Sequence, residues 1–414
     1  MAGLSMLRVV SNDDMVKAEE AKIRSDMEER QNSELILGLA AHVKSCWNPA
    51  RIAKKPIETI MLRALRQRNG EYEADKLSQI KAQGGSEVYM MITEVKCRGA
   101  ESWLRDILLD TGSPPWDLTP TPIPDLGPEQ EEKIKNIFAQ SVIKVLESSG
   151  QAPTIEEMAE LEEVAAQDFR FAVLQEAQNR ADKMKLKISD QFAQGGWADA
   201  FDEFITDMVT YPSAFIKGPV VRRQRVLGYS RASDGTTIVE GTERLGPEYE
   251  RVNPFNIYPE PGITHINEGY IFEHHPMSRS QLADLIGVPG YDEDAVREVL
   301  KIGNGQSWIN EDTKLQEEEQ ERKYYSYESP TETFDALEFW GKVSGKMLLD
   351  WGLSEEDIPD PAKEYDANVW VVGNYVIKAL LNYDPLGEKP YVKTSFIKAP
   401  GAFWGKGIPE MAGN

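Results

Sequence analysis

The chain has 414 residues, 41% hydrophobic and 28% charged, with 46 Lys and Arg against 69 Asp and Glu and a net charge of −23. That length exceeds the roughly 250–300 residues at which one core stops growing, so more than one domain, about two or three, is expected. The acidic excess excludes a tight nucleic-acid or anionic-membrane binder, although a body that lets DNA slide past gains from weak adhesion, because every fixed cation on a phosphate adds affinity and drag.

The first half reads as helical. Asp13 and Asp14 cap a helix toward Trp47, and Pro49 is expected to stop it. After a basic stretch with the turn "RNGEY", Ser86 and Glu87 open a second helix in which Val88, Met91, Ile92 and Val95 recur at helical spacing, continuing through "ESWLRDILL". The segment "TGSPPWDLTPTPIPDLGPEQ" carries too many prolines for a regular helix and reads as an extended strap, with Trp116, Leu118, Ile123 and Leu126 as apolar contacts. Ile134, Ile137, Phe138, Val142, Val145 and Leu146 then trace one helical stripe, closed by Gly150 and Pro153.

A long helix follows from Thr154, where Glu157 three residues on completes a capping pattern. Met158, Leu161, Ala165, Phe169 and Ala172 repeat at steps of three and four. Gly195 and Gly196 end it. Phe201, Phe204, Ile205 and Met208 make a short amphipathic helix before Pro212. Lys183, Lys185 and Lys187 fit a solvated face better than a phosphate contact.

From there strands dominate. "VVRRQRVLGYS" and "TTIVEGTERL" flank Ser233, Asp234 and Gly235, a strong hairpin signal. "RVNPFNIYPEPG" is extended, and "SRSQLADLIG" and "DEDAVREVLKIG" supply two short helices. Residues 306–329 read as an exposed connection. "ALEFWGKV", "NVWVVGNYVIKALLNY" with its Gly373-Asn374 turn, and "PYVKTSFIKAP" form a compact β module. The fold class is α+β.

Candidate chemistry is sparse. Cys46 and Cys97 fall in helical segments and read as reduced thiols. The four histidines are His42, His265, His274 and His275; "EHH" at 273–275 is a weak metal seed, because neighbours on a strand face opposite ways. In "GAFWGKG", Gly401, Gly405 and Lys406 imitate a phosphate loop. The loop is one residue short, Phe403 and Trp404 fill it, and Gly407 stands where the magnesium-binding hydroxyl belongs. Glycines for a tight corner, a packed aromatic pair and Pro409 in a helix's first turn explain it better. Ser395 and Lys398 spell S-x-x-K without its companion motifs. No enzyme, cofactor or metal is expected. No apolar run approaches a membrane span, and "MAGLSMLRVVSNDD" lacks a signal peptide's hydrophobic core, so a soluble, non-exported protein is expected.

Six stretches in one order resemble the portal proteins of tailed bacteriophages, in the form found in short-tailed phages. They are "LRQRNGEYEADKLSQIKAQGGSEVYMMITEVKCRGAESWLRDIL", "PPWDLTPTPIPDLGPEQ", "FITDMVTYPSAFIKGPVV", "VNPFNIYPEPGITHINEGYIFEHHPMSRSQLADL", "EFWGKV" and "PYVKTSFIKAPGAFWGKGIPEMAG". The resemblance spans roughly residues 45–414. It implies a ring of about twelve copies at one capsid vertex. Double-stranded DNA would be packaged and released through that ring, without sequence preference. The implied partners are the major capsid protein, the terminase large subunit and then the head-to-tail adaptor. The implied location is the virion, after assembly in the host cytoplasm.

Residues 1–44, which the resemblance does not cover, read as an N-terminal helical arm; mapped onto the rest, the resemblance implies a helix-rich wing over 45–260. A wing-to-stem region covers 261–333, a clip-like β module 334–400, and the start of a second stem helix 401–414. The chain would then be the front part of a longer polypeptide. Trp340, Trp370, Phe403 and Trp404 are the candidate oligomer or adaptor contacts, with ordinary core as their competing role. Another head or tail adaptor or scaffold is the alternative function, and a packaging ATPase a weaker one.

Overall fold

The computed structural model describes residues 12–109, 116–120, 135–136, 139–140, 142–143, 155–231, 237–303, 333–382 and 384–412, without the side chains of 12–37 and of parts of 155–172 and 223–244. The protein is mixed α+β with two antiparallel sheets. It divides into two compact units. One comprises Met1–Trp103, Ala200–Gly218 and Glu250–Asn414; the other comprises Leu104–Asp199 and Pro219–Tyr249.

In the first unit, helix α1 (Asn12–Asn69) runs straight through Pro49 and Pro56. The expected stop at Pro49 is therefore wrong. Each proline removes one backbone hydrogen bond, but apolar side chains on both sides hold the helix in register. Val43, Trp47 and Ala50 enter one core cluster, and Met61, Leu62 and Leu65 enter another. Helix α2 (Ala74–Ala82) buries nothing, so no apolar stripe announced it. Helix α3 (Ile92–Leu108) starts later than expected. Ser86 Oγ accepts from the Val88 amide, and the Tyr72 hydroxyl donates to the Val88 carbonyl at 3.1 Å, a local turn that competes with helix.

The five-stranded sheet has the order β3-β4-β5-β6-β7, comprising β3 (Ile257–Pro259), β4 (Ile271–Ser278), β5 (Thr333–Ser344), β6 (Glu364–Val372) and β7 (Tyr375–Leu381). Strands β1 (Ala214–Arg231) and β2 (Thr237–Val252) belong to a second sheet, in which β8 (Tyr391–Thr394) pairs with Ala214–Lys217. The strands expected to form a separate module over 334–400 are thus shared out: β5 to β7 continue the sheet begun by β3 and β4, and β8 joins β1.

One face of the large sheet presents Phe272, Leu337, Phe339, Val369 and Val371 to α1 and to the short helix 345–351. The other face is apolar at its two ends and charged in the middle. At one end Phe334, Ala336 and Val372 pack on helices 279–283 and 293–302. Those two helices stand where expected, capped by Ser278 and Asp292. At the other end Ile271 and Trp340 join Phe215, Tyr391 and Phe403.

In the second unit, α4 (Ile155–Gln194) is the expected long helix, and it ends at the expected glycines. Gly196 takes φ +70°, and a Cβ on Gly195 would lie 2.7 Å from the Pro247 carbonyl oxygen. Of the strap's four apolar contacts, Trp116 and Leu118 are described; Trp116 meets Phe192 edge-on, while Ile123 and Leu126 lie outside the described residues. The pieces of the 134–146 stripe that are described are helical. The hairpin turn at 233–235 and the connection 306–329 also lie outside. Helix α5 (Trp197–Thr210) spans the boundary and buries Phe204 and Ile205 as its spacing predicts.

Candidate functional site

Strand pairing sets Glu273 of β4 directly opposite Glu338 of β5, with Trp370 and then Lys378 continuing the row across β6 and β7. Two carboxylates facing each other across neighbouring strands repel, and both are buried. The cation that holds them comes from the other sheet: Lys217, 4% exposed, donates to Glu273 at 2.6 Å and to Glu338 at 2.5 Å. His275, two residues along β4 from Glu273 and so on the same face, adds a contact to Glu338 at 2.8 Å and to Glu273 at 3.5 Å.

Further donors reach both carboxylates. The Tyr391 hydroxyl, opposite Lys217 in the β1–β8 register, donates to Glu273 at 2.6 Å. Trp340 Nε1 and Asn368 Nδ2 donate to the second Glu338 oxygen at 2.8 and 3.0 Å. Trp370 stacks on the His275 ring at 4.6 Å.

These neighbours set the charges. Burial alone would push the Glu273 carboxyl up, but Lys217 and His275 outweigh it and bring the pKa down to about 2. Glu338 is likewise held well below the usual carboxylate range, chiefly by Lys217 against its burial. Burial opposes the charged form of His275, yet the two carboxylates raise its pKa to about 9. The Tyr391 phenol is driven up by burial and the adjacent carboxylates. At neutral pH the cluster therefore carries two negative and two positive charges.

Glu273, His275 and Glu338 place one ligand atom each within 4.8 Å of one another, the spacing of a metal site. The weak seed seen in "EHH" becomes Glu273 with His275, not the adjacent histidines, because alternation along a strand pairs i with i+2. His274 points to the opposite side, toward Asp335. The ammonium of Lys217 already donates to both carboxylates and so occupies the position between them. The geometry is that of an ionic clasp between two sheets with Lys217 as its cation.

Arg68, Arg98 and Arg251 line a cleft of about 620 Å³. All three are committed: Arg68 to Glu94 and Glu101, Arg98 to Glu94, and Arg251 to both oxygens of Asp207.

At the "GAFWGKG" corner the amides of Ala402, Gly405 and Lys406 bond within the protein itself. Lys406 and Ile397 exchange hydrogen bonds at 2.9 and 3.1 Å, and the Gly405 amide donates to the Pro212 carbonyl at 3.1 Å. A phosphate loop needs those N–H groups pointing at its ligand. A Cβ on Gly407 would sit 2.6 Å from the Thr210 carbonyl oxygen, so the glycine marks a close chain crossing. Ser395 is bonded to Ser213 at 2.8 Å.

None of the four aromatic contact candidates is exposed. Trp340 and Trp370 belong to the clasp. Phe403 stacks on Phe215 at 6.0 Å, and Trp404 meets Phe215 edge-on at 5.6 Å. Both cysteines are free, in α1 and α3.

Helix α3 is turned the other way. Its buried positions are Thr93, Cys97 and Glu101, while Ile92, Val95 and Trp103 are 53%, 70% and 73% exposed. Val88, Met90 and Met91, just before it, are exposed as well. Of the stripe expected at Val88, Met91, Ile92 and Val95, only Ile92 and Val95 are in the helix, and they face outward.

No protein-family model matches this chain, and no curated protein matches it. Among the described residues, no helix is long and apolar enough to cross a membrane.

Proposed function

We propose that this chain is a ring-forming structural subunit of the portal kind. Copies would close around a channel at one capsid vertex, through which double-stranded DNA is packaged and later released. The ring would sit among major capsid proteins and receive the terminase large subunit, then the head-to-tail adaptor. The subunit makes and breaks no bonds. In this reading residues 45–260 serve as wing, 334–400 contribute to the clip, and the helix opening at Ile408 begins the second stem helix.

The six ordered sequence stretches suggest the family. The structural observation that carries the reading is the outward apolar face of α3, where Ile92, Val95 and Trp103 are exposed while Thr93, Cys97 and Glu101 are buried. An exposed apolar face of this kind marks a protein–protein contact, and a closed ring needs each copy to present such surfaces to its neighbours. The net charge of −23 fits a channel past which DNA moves without sticking.

Negative-stain imaging of the purified protein tests this: annular particles with a central hole and near-twelvefold symmetry are expected. Monomers that bind only to preformed heads or tails would instead favour an adaptor. ATP turnover abolished by Lys406→Ala would favour a packaging ATPase.

A further inference from the structure

We infer that Lys378 is a modification site, an amine that accepts an acyl group from a small activated donor of the acyl phosphate class. The inference does not depend on the ring reading. In it the chain is the acceptor and not the catalyst.

Among the described residues seven lysines are buried or part-buried. Six of them donate to an acceptor. Lys217 has its two carboxylates and Lys185 has Asp117. Lys44 bonds the Asn374 side chain, Lys54 the Pro254 and Phe255 carbonyls, Lys389 the Ile266 carbonyl, and Lys393 the Thr264 and Phe403 carbonyls. Lys378, the seventh, has aromatic rings in place of an acceptor among the described residues: its Nζ stands 5.1 Å from the centre of the Tyr291 ring and 5.8 Å from that of Trp370. The two rings meet edge to face at 6.0 Å. Backbone pairing fixes both of them beside the amine, since Tyr291 bridges to Lys378, the Asp292 amide donates to the Ile377 carbonyl at 2.8 Å, and Trp370 stands opposite Lys378 in the β6–β7 register.

A ring face attracts a cation, but at these distances, close to the limit of about 6 Å, it replaces little of the solvation that burial removes. The ammonium is therefore poorly compensated. Burial lowers the Lys378 pKa; the Glu338 carboxylate opposes that, and the ammonium of Lys217 reinforces it. More of the side chain is then free amine, the nucleophilic form. Lys378 remains part-exposed, so a small reagent reaches it. The Nζ lone pair attacks the acyl carbon and forms the amide C–N bond, the C–O bond to phosphate breaks with its electron pair, and the proton shed by Nζ leaves on the phosphate. The amide product carries no charge for burial to disfavour. Lys393 is the contrasting case. Burial first, and Lys398 after it, bring its pKa down to about 8, yet two carbonyls hold its protons and the Phe403 ring lies 3.9 Å away, so its nitrogen is tied down.

The test treats the folded full chain with acetyl phosphate at neutral pH for short times and maps the acetylated lysines by peptide mass. Lys378 is expected to react about ten-fold faster than the exposed Lys55, Lys96 and Lys398, whose ammonium groups stay solvated. Its rate should also level off at a lower pH than theirs. In urea strong enough to unfold the chain, the preference should vanish. Reaction at Lys378 no faster than at the exposed lysines overturns the inference. A preference that survives unfolding overturns it as well, because the local sequence and not the fold would then be its source. A lead by Lys393 overturns it in favour of the carbonyl-bound amine.

Discussion

The Lys217 cluster and helix α3 both break the usual rule of apolar inside and polar outside, in opposite senses. In the cluster, charged groups are buried, yet every one has partners: two carboxylates, an ammonium and an imidazolium balance, and Tyr391, Trp340 and Asn368 donate to the carboxylates as well. On α3, Ile92, Val95 and Trp103 are apolar and more than half exposed. The first inversion is closed within one chain and so serves its architecture. The second is open and asks for another molecule. A residue out of place carries functional meaning only when its interactions are incomplete.

That contrast can be broken most severely at Lys217. Replacing it with Met strands two facing carboxylates in the interior, and breaking such a buried pair costs about 3–5 kcal/mol. The urea midpoint should fall accordingly; a loss below about 1 kcal/mol would show that the clasp does not hold the sheets together.

A smaller effect is expected from pH. His275 is faced by Glu273, Glu338 and Lys217, with Trp370 stacked on it and Lys378 in the same sheet row. Its pKa rises from 6.5 to about 9, so its contribution is complete below 6.5 and is lost as pH rises through 9. Glu273 falls from 4.5 to about 2, so its contribution is complete above 4.5 and is lost as pH falls through 2. Thermal midpoints measured across pH should be highest between 4.5 and 6.5, decline toward 9, and flatten on the alkaline side in His275→Gln.

The smallest effect on stability belongs to α3. Trp103→Ser should change the unfolding free energy by no more than about 0.5 kcal/mol, because an exposed side chain gives up little on removal. The same substitution should nonetheless abolish assembly. Parallel loss of stability and assembly would mean that Trp103 is core after all, and the contrast would collapse.

How much of this was legible in the sequence follows the range of the interactions. Local signals read well: the long helix α4 and its glycine stop, the two short helices capped by Ser278 and Asp292, and the aromatic corner at Phe403 and Trp404, while the capping pattern at Thr154 lies outside the described residues. Pro49 misled because what carries α1 past it is packing by Trp47 and Leu65, which no local rule contains. The clasp was out of reach because Lys217, Glu273, Glu338 and Tyr391 meet only through sheet pairing. Its faint traces were single charges inside apolar strand runs, "AFIKG" and "ALEFW", together with Glu273 and His275 at a spacing of two. The period placed Ile92 and Val95 on one face of α3 but wrongly drew Val88 and Met91 into the helix, and period never fixes whether a face looks inward.

The most direct test is the native mass of the protein at micromolar concentration and physiological salt. The account predicts a closed assembly of about twelve copies that contains no nucleotide and holds DNA only weakly. A single subunit at every concentration tried would contradict it.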